Sequence, residues 1–169
     1  MKAMIHNLVK IYDTFADVKP AAAHCDIPCK IYDPSTAQIA TLSVIRFMDL
    51  IAEYEGKSSL TLAEQAQLSR LTKQKEDHAE IAKHEIRVIW GDYFKQPQIE
   101  QFPDIHDLVH RIMLAGSACK QGIEQDKGLQ LLALINEFAE AFWATKKVDT
   151  YTAKCPYPPS QDVVYPKLG

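Results

Sequence analysis

Asp126–Lys146 reads DKGLQLLALINEFAEAFWATK. Its apolar residues Leu131, Leu132, Leu134, Ile135, Phe138, Phe142 and Trp143 recur at spacings of three and four, which gathers them on one broad side of a helix. A face that wide needs several neighbours, and the chain upstream supplies them. Pro103 opens a segment whose stripe is Ile105, Leu108, Val109, Ile112, Met113 and Ala115, closed by Gly122. Before it, Thr61-Leu62-Ala63-Glu64 has the form of a capping box and predicts a helix running to about Phe94, stopped by Pro97. Leu68, Leu71, Ile81, Ile86, Ile89 and Trp90 would line its buried side, while the charged stretch from Lys73 to Glu85 is expected to face solvent or a partner subunit. The first helix starts at Pro34 with Asp33 as its cap. It carries Ile39, Leu42, Ile45, Phe47 or Met48, and Ile51 or Ala52 to about Tyr54, with Gly56 as terminator. Four amphipathic helices with short connections predict an all-α chain, an antiparallel four-helix bundle over residues 34–147. No strand pattern stands out. Residues 148–169, with Pro156, Pro158, Pro159 and Pro166, read as an extended tail on the bundle or on a neighbour.

The gross numbers fit one soluble domain. Of 169 residues, 47% are hydrophobic and 24% charged, with net charge −3 and a pI near 6.1. No Lys/Arg block forms a basic face, which argues against nucleic acid. No apolar run approaches the roughly 20 residues of a spanning helix, which argues against a membrane. Residues 1–23 admit two readings. Ala21-Ala22-Ala23 resembles a cleavage site, yet Lys10, Asp13, Asp17 and Lys19 interrupt any secretory core, so export is not expected and the cytoplasm is. The segment is either a retained N-terminal helix or a removable leader.

The next six residues carry the chemistry: His24-Cys25-Asp26-Ile27-Pro28-Cys29. If the chain is cut before His24, the new amine and the Cys25 amide nitrogen close one five-membered chelate ring. That amide and its own thiolate close a second. Three donors then lie in one plane, Cys29 can add the fourth, and the His24 imidazole can approach axially. Planar nitrogen and sulfur donors suit Ni(II) or Cu(II), whereas zinc prefers a tetrahedron. Amine and thiols must lose protons to bind, so loading improves as pH rises. Spacing alone leaves other readings open: unrelated thiols, a disulfide, or part of a zinc site.

The run His24–Cys29, continued by Tyr32-Asp33-Pro34, is similar to the opening of the mature nickel superoxide dismutases, His-Cys-x-x-Pro-Cys-Gly-x-Tyr. Trp90-Gly91-Asp92-Tyr93-Phe94-Lys95, Phe102–Val109 and Phe142–Lys147 resemble later segments of that family, so the likeness spans roughly residues 24–147. It implies a leader, residues 1–23, removed by a maturation protease; a hook, 24–33; the helical domain to 147; and assembly as a homohexamer. It implies one nickel per subunit, held by His24, Cys25 and Cys29, cycling between Ni(II) and Ni(III) to convert superoxide to oxygen and hydrogen peroxide. Tyr32 and Tyr93 correspond to tyrosines beside the access path, and Lys95 to a lysine that attracts superoxide. Loss of three Lys and two Asp with the leader would take net charge from −3 to −4, so attraction must be local.

Three positions depart from the pattern. Lys30 stands where the family has glycine, a strained position if its φ is positive. Ala40 and His78 stand where a glutamate and an arginine support the axial histidine, which bears on rate and redox tuning. Two alternatives therefore stay in view: a nickel-binding or trafficking protein with weak or no dismutase activity, and a helical assembly protein with a Cys25–Cys29 disulfide. His106 and His110, four apart on a helix, are a weaker metal candidate.

Overall fold

The computed structural model describes residues 30–169. Its elements are α1 Ser35–Ala52, α2 Leu62–Val88 continued by a π-helical turn Ile89–Tyr93, α3 Gln96–Gln101, α4 Ile105–Gln121, α5 Gln125–Thr145, and strands β1 Thr150–Lys154 and β2 Asp162–Pro166. The helix starts follow the sequence. The Asp33 carboxylate accepts from the Ser35 amide at 2.8 Å, and Thr61 and Glu64 satisfy each other's backbone N–H groups at 3.2 and 2.8 Å. No described helix is long and apolar enough to cross a membrane.

α1 packs on α2 and α5, α2 on α4, and α4 on α5, so the four long helices enclose one core. Val44, Met48, Ile86, Ile112, Ile135 and Phe138 lie at its centre, each no more than 1% exposed. Each such side chain contributes about 1.5–3 kcal/mol by leaving water. Gly128 permits the close approach of α5 to α1, because a methyl there would come within 2.8 Å of Ile45 Cγ1 and 3.2 Å of Met48 Sδ.

Three expectations need correction. Ile39 and Ile81 fit the periodicity but turn outward, 55% and 41% exposed. The charged stretch Lys73–Glu85 is not a uniformly solvated face, since Lys75, Ala79 and Ala82 are all buried there. The alanines let α2 lie close to its neighbours, and the Lys75 ammonium reaches the end of α4 to donate to the carbonyls of Cys119, Lys120 and Gly122 at 2.7, 3.0 and 2.5 Å. Finally, the tail contains an antiparallel hairpin, with Thr150 opposite Pro166 and Tyr151 opposite Tyr165. Thr150-Tyr151-Thr152 and Val163-Val164-Tyr165 are good strand formers, but the surrounding prolines mask that signal.

The hairpin is fastened to the helices. Gln38 Nε2 donates to the Val164 carbonyl at 2.8 Å and to Asn136 Oδ1 at 3.1 Å, and Asn136 Nδ2 donates to the Asp162 carbonyl at 3.0 Å. Cys155, without explanation in the sequence, is buried with Leu42, Ile45, Leu132 and Val163 and anchors the turn. The chain leaves α5 through Lys147 at φ +59, where the Val148 amide donates to Trp143 O and the Lys147 amide to Ala144 O. Those two bonds form a Schellman ending.

Ion pairs set the acid limit. Glu80 accepts from Arg87 at 2.8 Å and Lys120 at 3.0 Å, and chiefly the Arg87 bond lowers its carboxyl to about 2. The carboxyls of Glu64, through Lys57, and Glu124, through Lys127, are lowered to about 2 as well. Carboxyls depressed by folding stabilise the fold above their ordinary range near 4.5, and that contribution is lost as pH falls toward 2. All three are partly exposed, so each contribution is modest. The melting temperature is expected to decline steadily from pH 5 to pH 2, less steeply in high salt; a flat profile by circular dichroism would contradict this linkage.

Candidate metal centre and anion entrance

His24, Cys25 and Cys29 lie outside the described residues. What the structure places is the ground on which the hook must sit. Tyr32, three residues after Cys29 in the sequence, is packed against the main core. Among the described residues no group of three or more His, Cys, Asp or Glu could hold a metal ion. Of the His106 and His110 pair, His106 Nδ1 accepts the Trp90 indole N–H at 3.0 Å, with the two rings edge to face at 5.6 Å.

The two tyrosines meet. Their ring centroids are 5.9 Å apart at 48°. The π-helical turn delivers Tyr93: the Phe94 amide reaches back five residues to Ile89 O at 3.4 Å. That register turns Phe94 into the core against Phe138 at 5.5 Å while Tyr93 packs on Phe142 at 5.0 Å. The phenol of Tyr93 is oriented by a short relay. Thr145 Oγ1 donates to the Phe142 carbonyl at 2.6 Å, so its single proton is used and Tyr93 Oη must be the donor in the 2.6 Å bond between them. The Tyr93 oxygen thus keeps its lone pairs for a water or a protonated product.

Lys95 is exposed, and its ammonium donates to Gly91 O at 2.8 Å, capping the π-helical turn. A different lysine stands at the pair: Lys146 Nζ lies 4.5 Å from the Tyr93 ring centroid and 5.1 Å from that of Phe142. Neither Lys146 nor Thr145 stands out in the sequence as a functional residue. Their signals there are membership of the Phe142–Lys147 segment that resembles the family and, for Lys146, the i, i+4 spacing from Phe142 at the helix end.

All three departures from the family pattern fall on described residues. Lys30 has φ +60, so the strain arises. The left-handed conformation costs a side chain about 1–2 kcal/mol, and glycine's freedom when unfolded offsets about 0.5–1 kcal/mol of any relief. Lys30→Gly is therefore expected to stabilise by about 0.5–1 kcal/mol, a rise of roughly 1–4 °C in melting temperature; a lower melting temperature in that variant would refute the strain. Ala40 is 3% exposed in the core. His78 lies against Phe47, ring centroids 5.3 Å apart, with Nδ1 2.8 Å from the Gln74 carbonyl. No ionised carboxylate–guanidinium pair exists at these two positions, and each residue is accommodated by apolar packing or local bonding.

Comparison with known proteins assigns the ensemble. The family model described as nickel-containing superoxide dismutase matches residues 19–146, which include the His24–Cys29 hook and both tyrosines. A nickel superoxide dismutase of Streptomyces coelicolor is 38% identical over 133 residues, covering 79% of this chain and 95% of the relative. That of Streptomyces seoulensis matches to the same extent. A crystal structure of a nickel-containing superoxide dismutase with ligation corresponding to the oxidised state superposes with a TM-score of 0.64 at 39% identity, covering 73% of this chain and 99% of that one. The hook sequence, the paired tyrosines and the helical frame that joins them thus belong together: this chain is a member of the nickel-containing superoxide dismutase family.

Proposed function

We propose that this chain is a nickel-dependent superoxide dismutase that converts two superoxide ions and two protons to oxygen and hydrogen peroxide. The carrying observation is that a matched region of the right family contains an intact His-Cys-x-x-Pro-Cys hook, with a tyrosine pair fixed just beyond its C-terminal end.

The donor set fits the ion. After cleavage before His24, the amine and imidazole of His24, the amide and sulfur of Cys25 and the sulfur of Cys29 would hold one nickel. Strong anionic donors of this kind favour a metal able to change oxidation state by one electron. One-electron redox exchange with superoxide is the chemistry nickel supplies when bound. The protein does the rest. Tyr93, its hydroxyl proton committed to Thr145, offers its oxygen to water or to a protonated product. Tyr32, tilted against Tyr93, narrows the way in, so a small anion passes and larger reductants are excluded. Lys95 adds positive charge on the exposed rim.

The finer parts of this reading are the removable 1–23 leader, the 24–147 domain with its hook at 24–33, the antiparallel four-helix bundle, the homohexamer and a cytoplasmic location. The cyclic packing of the four long helices supports the bundle. The two alternatives, a nickel carrier and a disulfide-linked assembly protein, separate from this reading in one set of measurements. Intact mass, nickel content and superoxide turnover on purified protein should give a chain beginning at His24, one nickel per subunit and fast turnover. An active chain that keeps residues 1–23, or turnover without nickel, would overturn it. Nickel without turnover would favour the carrier.

A further inference from the structure

The geometry points to Thr145 as a positioning residue: by taking the Tyr93 proton it leaves that phenol able only to accept at the entrance, so small anions pass it and are not retained. This rests on the function proposed above. The proton's direction is set by the way α5 ends. The Lys146 amide turns to Trp143 O and Ala144 O, and not to Phe142 O four residues back. The Phe142 carbonyl takes the Thr145 hydroxyl instead, at 2.6 Å. A hydroxyl has one proton, so Thr145 Oγ1 meets Tyr93 Oη, 2.6 Å away, with a lone pair. The half-buried Tyr93 phenol is therefore the donor, and its hydrogen points at Thr145.

The consequence is chemical. Hydrogen bonds to an ion are about twice as strong as neutral ones, so an outward phenol O–H beside a cation would make a holder for small anions. The cation is present, with Lys146 Nζ 4.5 Å from the Tyr93 ring centroid. With its proton held by Thr145, Tyr93 turns only lone pairs outward. Lone pairs repel an anion such as azide or chloride and accept from neutral donors, water and hydrogen peroxide. Superoxide is then handed on to the hook, not bound at the tyrosine, and no other anion lodges in its path.

The test uses four variants of the complete processed protein: Thr145→Val, which keeps the shape and removes the hydroxyl; Thr145→Ser, which keeps the hydroxyl; Tyr93→Phe; and Thr145→Val with Tyr93→Phe. Azide is titrated by calorimetry into metal-free protein, and its inhibition of superoxide turnover is read on nickel-loaded protein. Thr145→Val is expected to bind azide about 3–10-fold more tightly, the worth of one freed hydrogen bond, and to be inhibited at correspondingly lower azide. Thr145→Ser should stay within about two-fold of wild type. With Tyr93→Phe in place, the valine substitution should change azide affinity by less than about two-fold, since no phenol proton remains to be released. A Thr145 that only braces the helix end would lower the melting temperature on replacement without tightening azide. The inference is overturned if Thr145→Val binds azide no better than wild type, undetectable binding included, or if the gain persists with Tyr93→Phe. Wild-type protein lacking nickel-dependent turnover would sink the proposed function instead, and the metal-free titrations would still decide for or against Thr145.

Discussion

Cys29→Ser is expected to remove bound nickel and to lower superoxide turnover by more than about 100-fold, since changes merely behind the ligands already cost 10–100-fold. A serine hydroxyl stays protonated near neutral pH and offers a hard, weak donor where the proposed centre needs a soft anionic one. Cys25→Ser should do the same. Its amide nitrogen would remain, but the second chelate ring would lose its sulfur. Among the described residues the helical core is built from residues after the hook, so helix content and melting temperature should match the wild type in metal-free protein. That separates loss of a ligand from loss of the fold. Cys119→Ser is the contrasting variant. Cys119 is 0% exposed, and burial raises its thiol to about 11, which keeps it protonated and inert. Its replacement should lower stability slightly and leave nickel content intact. If Cys29→Ser retains one nickel per subunit and full activity, the ligand assignment is wrong.

The two kinds of cysteine differ in how far a sequence can reveal them. Cys25 and Cys29 are legible because they stand in the family's hook pattern, which a sequence carries directly, although their spacing alone also admits a disulfide or a zinc site. Helix starts are legible for a similar reason: Thr61 with Glu64 and Asp33 with Ser35 are contacts within three residues. Long-range consequences are not. Nothing local distinguishes Lys75 from Lys73, yet the former is buried 44 residues from its first carbonyl partner and the latter pairs with Asp77 on the surface. Ile39 matches the period of α1 as well as Ile45 does, but the helix has more apolar width than its neighbours cover.

The entrance shows the same division. Tyr32 and Tyr93 can be named from the family pattern, while their meeting depends on a π-helical turn that shifts Tyr93 by one residue against its helix. The assignment of positive charge to Lys95 follows the pattern too, and only the fold reveals that its ammonium is engaged at Gly91 and that Lys146 occupies the ring face. The hairpin lies beyond the residues matched by the family model, which ends at 146. Family likeness is therefore silent about it, and only the pairing of Thr150–Lys154 with Asp162–Pro166 gives Cys155 a role.

Lys75→Met is expected to destabilise the protein by about 3 kcal/mol, within a range of roughly 2–5. Lys75 is 1% exposed, and its ammonium donates to three carbonyls at and just beyond the end of α4. Helix ends leave their last carbonyls without partners, and the negative end of the helix dipole favours a cation there. Methionine fills similar volume but donates nothing, so the loss measures the bonds and not a cavity; Lys75→Ala adds the cavity and should be worse. At this chain length, about 3 kcal/mol corresponds to a fall of roughly 6–12 °C in melting temperature. The pH dependence gives a second check. Desolvation holds the Lys75 ammonium below its ordinary value of 10.5, against weaker upward pulls from Glu76, Cys119 and Glu124. The unfolded chain then binds the proton more tightly, so this group's contribution to stability grows as pH climbs toward 10.5. The gap between wild type and Lys75→Met, read from urea unfolding between about pH 7 and 10, should widen with pH. A gap under about 1 kcal/mol at pH 7, the worth of a single ordinary hydrogen bond, would show that solvent takes over the three carbonyls and that Lys75 does not hold α2 to the end of α4.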